Sequence, residues 1–356
     1  MLYSRVETVF VAMSGGIDSS YAAFLLKASG RKVVGFTFDL LPSSMRSASN
    51  PRMCCSAVQM DRARRIADAL SIPHYVMNMR EAFERHVIAR FIDEYTAGRT
   101  PNPCILCNRH VKFGAFLEKA AAMGADLVAS GHYAAIEKTA AGHVLKKGKD
   151  RLKDQTYFLY PLPQKDLPRI VFPLARFRKT EVRAGFADLF EASAGCGRVA
   201  ESQDICFIPD NDYRAFLKRF VPVKSGPIIT MDGRQVGSHK GTHLYTIGQR
   251  KGLNIAYKEA LYVVAIKAAE NVVVVGPREA LLRNRLTAEE INMLDAPPEG
   301  EAWAKVRYRQ REEPCSYSVK DGMLEVVFRS PVWAVAPGQA VVLYDGERVL
   351  GGGAIT

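Results

Sequence analysis

Two short stretches hold residue types that could do chemistry. The first is Ser14-Gly15-Gly16-Ile17-Asp18-Ser19-Ser20, between an apolar run (Val9, Phe10, Val11, Ala12) and a stretch of helical spacing (Ala22, Ala23, Leu25, Leu26). A strand that passes through a glycine turn into a helix leaves backbone N–H groups and the positive end of the helix dipole facing the turn. Such a place takes a phosphate or pyrophosphate. Asp18 adds a carboxylate, which repels a phosphate unless a metal bridges them, so it points to bound Mg²⁺. The spacing fits neither a Walker loop nor a dinucleotide fingerprint. The second stretch is Thr100 to Phe113, where Cys104 and Cys107 follow two prolines and precede Arg109, His110 and Lys112. The prolines place both thiols at a loop-to-helix junction, and the helix start plus the basic neighbours favour thiolate. A lone Cys-x-x-Cys serves redox, zinc and iron–sulfur sites alike; no second pair is present, and Cys206 is the natural third thiol.

The elements that must position these residues emerge from hydrophobic periodicity. Lys32–Phe38, His74–Met79 and Asp126–Ser130 read as strands, and Asp61–Leu70, Arg80–Ala97, Val111–Met123 and Lys179–Phe190 as helices. Leu40–Met53 is polar and reads as a mobile loop. Alternating strands and helices predict an α/β domain with a doubly wound parallel sheet and a ligand at the C-terminal strand ends. Gly131-His132-Tyr133 comes directly after a strand and so shares the rim of the glycine turn. Beyond Ile208-Pro209-Asp210 the texture changes. Gly226–Thr230 and Leu261–Ala265 predict a small β-rich domain, and Ala304–Tyr308, Leu324–Phe328 and Ala340–Tyr344 a small β-barrel. The expected domains are therefore 1–210, 211–282 and 283–356.

Composition narrows the partners. Lys and Arg number 49 against 37 Asp and Glu, a net charge of +12 dispersed over 356 residues, which points to a polyanion and first to nucleic acid. No run of about 18 apolar residues is present, so no membrane span is expected. Strand residues begin within the first ten positions and leave no room for a targeting peptide, so a cytoplasmic location is expected. Seven cysteines, an odd number in a long chain, read as chemistry or metal binding rather than structural bridges. Adjacent Cys54 and Cys55 receive no role, and Cys196 and Cys315 read as ordinary cysteines.

In order along the chain, SGGIDSS, PNPCILCNRHVKF, SGHYA, KDQTYFL, SQDICFI, HKGTHLYTIGQRKGL, VRYRQ and PGQAVVLYDGE resemble the motifs of the bacterial tRNA-uridine 2-sulfurtransferases, or 2-thiouridylases. The first of these is similar to the pyrophosphatase loop of the ATP-adenylating PP-loop superfamily, and the resemblance covers essentially the whole chain. It implies an N-terminal adenylating domain, a small central domain and a C-terminal β-barrel. ATP with Mg²⁺ would activate the position-2 oxygen of the wobble uridine in tRNAs for Lys, Glu and Gln. A persulfide, supplied by a sulfur-donor protein, would then replace that oxygen. By the matching positions, Cys107 would be the nucleophile-type cysteine, Cys206 the persulfide carrier and Asp18 a further catalytic residue. Ala12, Met13, Ser14, Gly15, Gly16, Ile17, Asp18, Ser19, Phe38 and Gly131 would surround ATP. Asn102, Pro103 and Cys104 would approach the target base, and His132, Lys153, Asp154, Gln155, Arg307, Tyr308 and Gln339 match tRNA-contacting positions.

This chain departs from the commoner family pattern where Cys104 replaces an aspartate and Ser130 a threonine. Cys104, Cys107 and Cys206 could together hold a 4Fe–4S cluster in place of the persulfide route. Two other functions stay open on the sequence: another PP-loop adenylating ligase, and a non-catalytic RNA-binding protein. His132 also reads as a packed core histidine, and Arg307 and Tyr308 as barrel-strand residues whose side chains point to opposite faces.

Overall fold

In this computed structural model, residues 6–42, 45, 57–191, 205–208 and 212–356 are described. Most of the predicted loop Leu40–Met53, with Cys54, Cys55, Cys196 and the Pro209-Asp210 boundary, lies outside them. The described residues belong to two compact units, Met1–Val87 with Cys104–Asn211 and Glu347–Val349, and Ile88–Pro103 with Asp212–Gly346 and Leu350–Thr356.

The first unit is built on strand β1 (Thr8–Ala12), succeeded by helix α1 (Ile17–Ala28), β2 (Lys32–Asp39), α2 (Ala57–Ala69), β3 (His74–Asn78) and β4 (Leu127–Ala129). A hairpin of β5 (Ala134–Thr139) and β6 (Gly142–Lys147) precedes the short β7 (Ile170–Val171). The parallel sheet runs β3-β2-β1-β4-β7. β1 is central because both its faces are apolar. Val9 and Val11 pack with Ala23 and Leu26 of α1 and Ala63, Ile66 and Ala67 of α2. Phe10 turns the other way onto Phe36, which meets Phe116 of the helix Phe116–Ala122. Helices therefore cover both faces, and each fully buried β1 side chain contributes about 1.5–3 kcal/mol. The predicted third strand is real but lies at the sheet edge, where Tyr75 and Val76 stay exposed.

In the second unit, β8 (Gly226–Thr230), β9 (Gln235–His239), β10 (Tyr262–Lys267) and β11 (Val272–Gly276) form one sheet in the order β10-β11-β8-β9. The strands β12 (Leu282–Met293), β13 (Glu299–Lys305), β14 (Glu313–Lys320), β15 (Met323–Trp333), β16 (Ala340–Asp345) and β17 (Arg348–Ile355) run in the order β12-β15-β14-β13-β16-β17. Pairing of Ala288 with Ile355 and of Met293 with Gly351 joins β12 back to β17 and closes the barrel. Closure removes the sheet edges, and Val326, Leu343 and the buried Cys315 are among the side chains that fill the interior.

β13 ends at Lys305, so Arg307 and Tyr308 occupy a turn rather than the expected strand. Strand alternation therefore does not set the faces to which that pair points. The expected helix over Val111–Met123 also begins earlier, at Pro103, and passes through a π-helical segment, Cys107–Ala115, before reaching Ala122. Proline at the first helical position loses no intrahelical hydrogen bond, so Pro103 starts this helix instead of delaying it.

Candidate active site

The glycine turn is set by close approach of backbone to backbone. Gly15 has φ +71° and lies so near α2 that a Cβ there would meet the Gln59 carbonyl oxygen at 2.5 Å. Gly16 caps α1, and no side chain closes that end. Instead Ser19 Oγ accepts from the Ser14 N–H at 3.1 Å, and Ser20 Oγ donates to the Gly16 carbonyl at 2.8 Å. Asp18, Ser19 and Ser20 form the first turn of α1 and not its cap, because the chain is already helical at Ile17. Gly131 reaches the same turn from the end of β4. A Cβ on it would lie 2.7 Å from Asp18 C and from Ser19 N, so the two segments touch only because residue 131 has no side chain. Ala12 and Met13 lead into the turn, and Phe38 is buried near the end of β2 against Phe116 at 4.8 Å between ring centroids.

Asp18 has a protein partner. Lys179 Nζ donates to its two carboxylate oxygens at 2.6 and 2.7 Å, and Tyr133 OH donates to Oδ1 at 2.8 Å. Lys179 opens the helix Lys179–Phe186, where the Glu181 carboxylate accepts from the Arg178 N–H and Asp150 accepts from the Lys179 N–H. Lys179 is buried, at 7% exposure, with Asp18 as its ion-pair partner. Asp18 is the acidic side chain of the turn and could ligate Mg²⁺ by exchanging its partner from Lys179 to the metal.

Cys104, Cys107 and Cys206 lie in the first unit, and Cys206 is close enough to the other two for its charge to bear on both. Their protonation differs from the expectation. Burial pushes the Cys107 thiol up to about 12; Lys112 pulls the other way, and Cys206 and Cys104 add to the rise. Cys104 keeps exposed surface, yet crowding by protein, reinforced by Cys206, raises it to about 11 against the pull of Lys112. The reason is one of geometry. Cys107 lies beyond the first helical turn, among atoms that exclude water, and one lysine does not offset that desolvation. Among the described residues no group of three or more His, Cys, Asp or Glu is arranged to hold a metal ion.

The other candidate positions are tied into the fold. His132 is buried between Phe113 and Phe172, bonded through Nδ1 to Ser130 Oγ at 2.7 Å, and burial holds it neutral with its pKa well below the usual value. It is therefore a packed histidine and not an open rim group. Asp154 accepts from Thr156 Oγ1 at 2.7 Å, Gln155 accepts from the Tyr133 N–H at 2.9 Å, and Lys153 donates its backbone N–H to Asp150. These bonds tie the Lys153–Gln155 loop to Tyr133 and so to Asp18. In the second unit, Arg307 donates to the carbonyls of Ala334 at 3.1 Å and Ile247 at 2.9 Å, and Gln339 donates to that of Thr100 at 2.8 Å. Tyr308 lies within cation–π range of Lys305, 5.7 Å from ring centroid to ammonium.

A family model for a tRNA methyl transferase HUP domain matches residues 7–210, one for a tRNA methyl transferase PRC-barrel domain residues 214–277, and one for an aminomethyltransferase β-barrel domain residues 283–355. The tRNA-specific 2-thiouridylase MnmA of Geotalea uraniireducens is 47% identical over 98% of this chain and 95% of its own length. That of Heliobacterium modesticaldum is 45% identical over 98% and 92%. The chain belongs to the tRNA-specific 2-thiouridylase family. The domain models carry names from methyl transfer, whereas full-length relatives of this family are thiouridylases. The latter weigh more, since they align from end to end. Among solved structures, a 4-thiouridine synthetase–RNA complex with bound ATP overlaps loosely, with TM-score 0.39 and 19% identity over 61% of this chain and 50% of that one.

For a member of this family, two residues at the loop escaped sequence reasoning. Lys179 stands out in the sequence only as part of a helical run, Lys179-Thr180-Glu181-Val182-Arg183, and Tyr133 only as a neighbour of His132. The signal for Lys179 was its place at a helix start, where a basic residue is unfavourable unless an acid faces it. No helix among the described residues is long and apolar enough to cross a membrane.

Proposed function

We propose that this chain thiolates position 2 of the wobble uridine in tRNAs for Lys, Glu and Gln, consuming ATP and releasing AMP and pyrophosphate. The observation that supports it most is one unit containing both a glycine turn shaped for close approach to phosphates and three cysteines within electrostatic reach of one another. A carbonyl oxygen is a poor leaving group, so the uridine O2 first attacks the α-phosphorus of ATP and pyrophosphate leaves. The residues Ala12–Ser19, Phe38 and Gly131 hold the nucleotide. Asp18 would hold Mg²⁺, which would offset the charge of the phosphates, and Lys179 would supply a further positive charge beside them. The terminal sulfur of a persulfide on Cys206 then attacks C2, loses its proton and expels AMP. Cys107 attacks Sγ of Cys206, and its thiol proton passes to the departing 2-thiouridine. The S–S bond to the uridine sulfur breaks, 2-thiouridine departs, and the Cys107–Cys206 disulfide is reopened by a thiol reductant.

A persulfide-bearing donor protein reloads Cys206, and a reducing cytoplasm suits the chemistry. Asn102, Pro103 and Cys104 approach the base. Residues 1–210 carry the chemistry, 211–282 form the central domain, and 283–356 the barrel on the tRNA side. Incubating the chain with ATP, Mg²⁺, a persulfide donor and unmodified tRNA tests the reading. Pyrophosphate and 2-thiouridine are expected together. Pyrophosphate without thiolation would make it another adenylating ligase, and neither product would leave an RNA-binding protein.

A further inference from the structure

The turn Pro337-Gly338-Gln339, between β15 and β16 of the barrel, is engaged with Thr100 from both sides. The Thr100 N–H donates to the Pro337 carbonyl at 2.8 Å, and Gln339 Nε2 donates to the Thr100 carbonyl at 2.8 Å. A carbonyl can only accept, so the Gln339 amide has one orientation here. Gly338, at φ +85°, lies against the same residue: a Cβ there would be 3.0 Å from Thr100 N and 3.1 Å from Thr100 C. The turn itself is fixed, since the Gly338 N–H donates to the Ile355 carbonyl at 2.8 Å and the Ile355 N–H to the Gln339 carbonyl at 2.7 Å.

The chain just before Thr100 is held as firmly. Arg99 forms a two-pronged bond to the buried Glu94, with Nε to Oε2 at 2.6 Å and Nη2 to Oε1 at 2.6 Å. Gly98 packs so closely on Ile266 of β10 that a Cβ would meet its side chain at 2.8 Å. After Thr100 the chain reads Pro101-Asn102-Pro103-Cys104. Each proline fixes its own φ and confines the residue before it, so Thr100, Pro101, Asn102 and Pro103 all have restricted backbones. A constraint applied at Thr100 is therefore carried along a stiff segment to Asn102 and Pro103.

We propose that Gln339 is a positioning residue, which with Pro337 and Gly338 fixes Thr100 and thereby sets the placement of the base-facing segment Asn102-Pro103. This rests on the thiolation reading for the role of that segment. It gives the barrel a part in catalysis that does not require Gln339 to grip RNA, since its amide is committed to Thr100. A lost donor of this kind slows a positioned reaction while leaving phosphate-driven tRNA affinity in place.

The test compares Gln339→Ala and Gln339→Glu with the wild type, using an unmodified tRNA that the wild type thiolates. Glu keeps the shape and loses the donor. Both variants are expected to bind tRNA within about twofold of wild type and to thiolate roughly threefold to tenfold more slowly at saturating tRNA and ATP. Amide hydrogen exchange in the peptide spanning residues 97–106 should be faster, with barrel-strand peptides unchanged. A tRNA dissociation constant raised tenfold, with the saturated rate and the exchange both unchanged, would overturn the proposal in favour of a direct RNA contact. If the wild type makes no 2-thiouridine, the functional reading fails, and hydrogen exchange alone decides whether the clamp on Thr100 exists.

Discussion

Ser14–Ser20 and Pro103–Cys107 each lead the chain into a helix, and they are built by opposite means. At the first, two glycines bring backbone against backbone, Gly16 caps α1 without a side chain, and the helix start faces the turn. At the second, Pro103 begins the helix, Cys104 lies in its first turn and Cys107 just beyond, buried. The first site acts through peptide N–H groups, whose polarity is the same whatever surrounds them. The second acts through thiols, whose charge depends on how much water reaches them. In the proposed reaction the first is therefore ready before its ligand arrives, and at the second burial favours the protonated form of Cys107.

The largest effect should come from separating the two sites. Cys206→Ser is expected to abolish thiolation, to below about one-hundredth of wild type, while pyrophosphate release dependent on ATP and tRNA continues. Full thiolation in this variant would show that sulfur takes another route. A smaller change should come from the loop. Gly131→Ala inserts a methyl group where the Asp18 and Ser19 backbone stands at 2.7 Å, so the turn must move. Overpacking of about 1–3 kcal/mol corresponds to roughly a fivefold to 150-fold loss of pyrophosphate release, with loading of persulfide onto Cys206 unaffected. Equal losses in both half-reactions would mean that the sites are not independent.

The smallest effect concerns protonation. Alkylation of Cys107 in the ligand-free chain is expected to be slow at neutral pH and to rise about tenfold per pH unit toward about 12. Labelling at pH 7 as fast as that of an unstructured cysteine would remove the contrast between the sites. The same shift has a consequence for stability. An unfolded thiol ionises near 9.0 and the folded Cys107 near 12, so the unfolded state loses its proton first. The contribution of the protonated, buried thiol is complete below pH 9 and is lost as pH rises through that window.

Much of this molecule was legible in the sequence. Val9–Ala12 ahead of a double glycine places a buried strand before an anion site, and α1, β1 and β2 lie where the pattern puts them. Local signals fail where contacts are distant in sequence. Arg307 and Gln339 resemble RNA-facing positions, yet their donors meet the carbonyls of Ala334, Ile247 and Thr100. Nothing in the local pattern of VRYRQ or PGQ specifies those partners. Pro101 and Pro103 read as marking a loop-to-helix junction, and Pro103 is itself the helix starter. Which role applies depends on whether the residues C-terminal to them pack as a helix.

By itself the sequence determined which backbone shapes are allowed: the glycine turn at Ser14–Ser20, the stiff run Thr100–Pro103, and three thiols on two separate motifs. These are local properties, set by side-chain presence or absence and by φ. Only the tertiary structure decided the state of the charged and ionisable groups. Asp18 found Lys179, some 160 positions away, instead of standing free for a metal. Cys107 was buried, so its thiol rose where the basic neighbours in sequence would have lowered it. Charge is governed by solvation and by partners brought together through folding, and neither is written in the order of nearby residues.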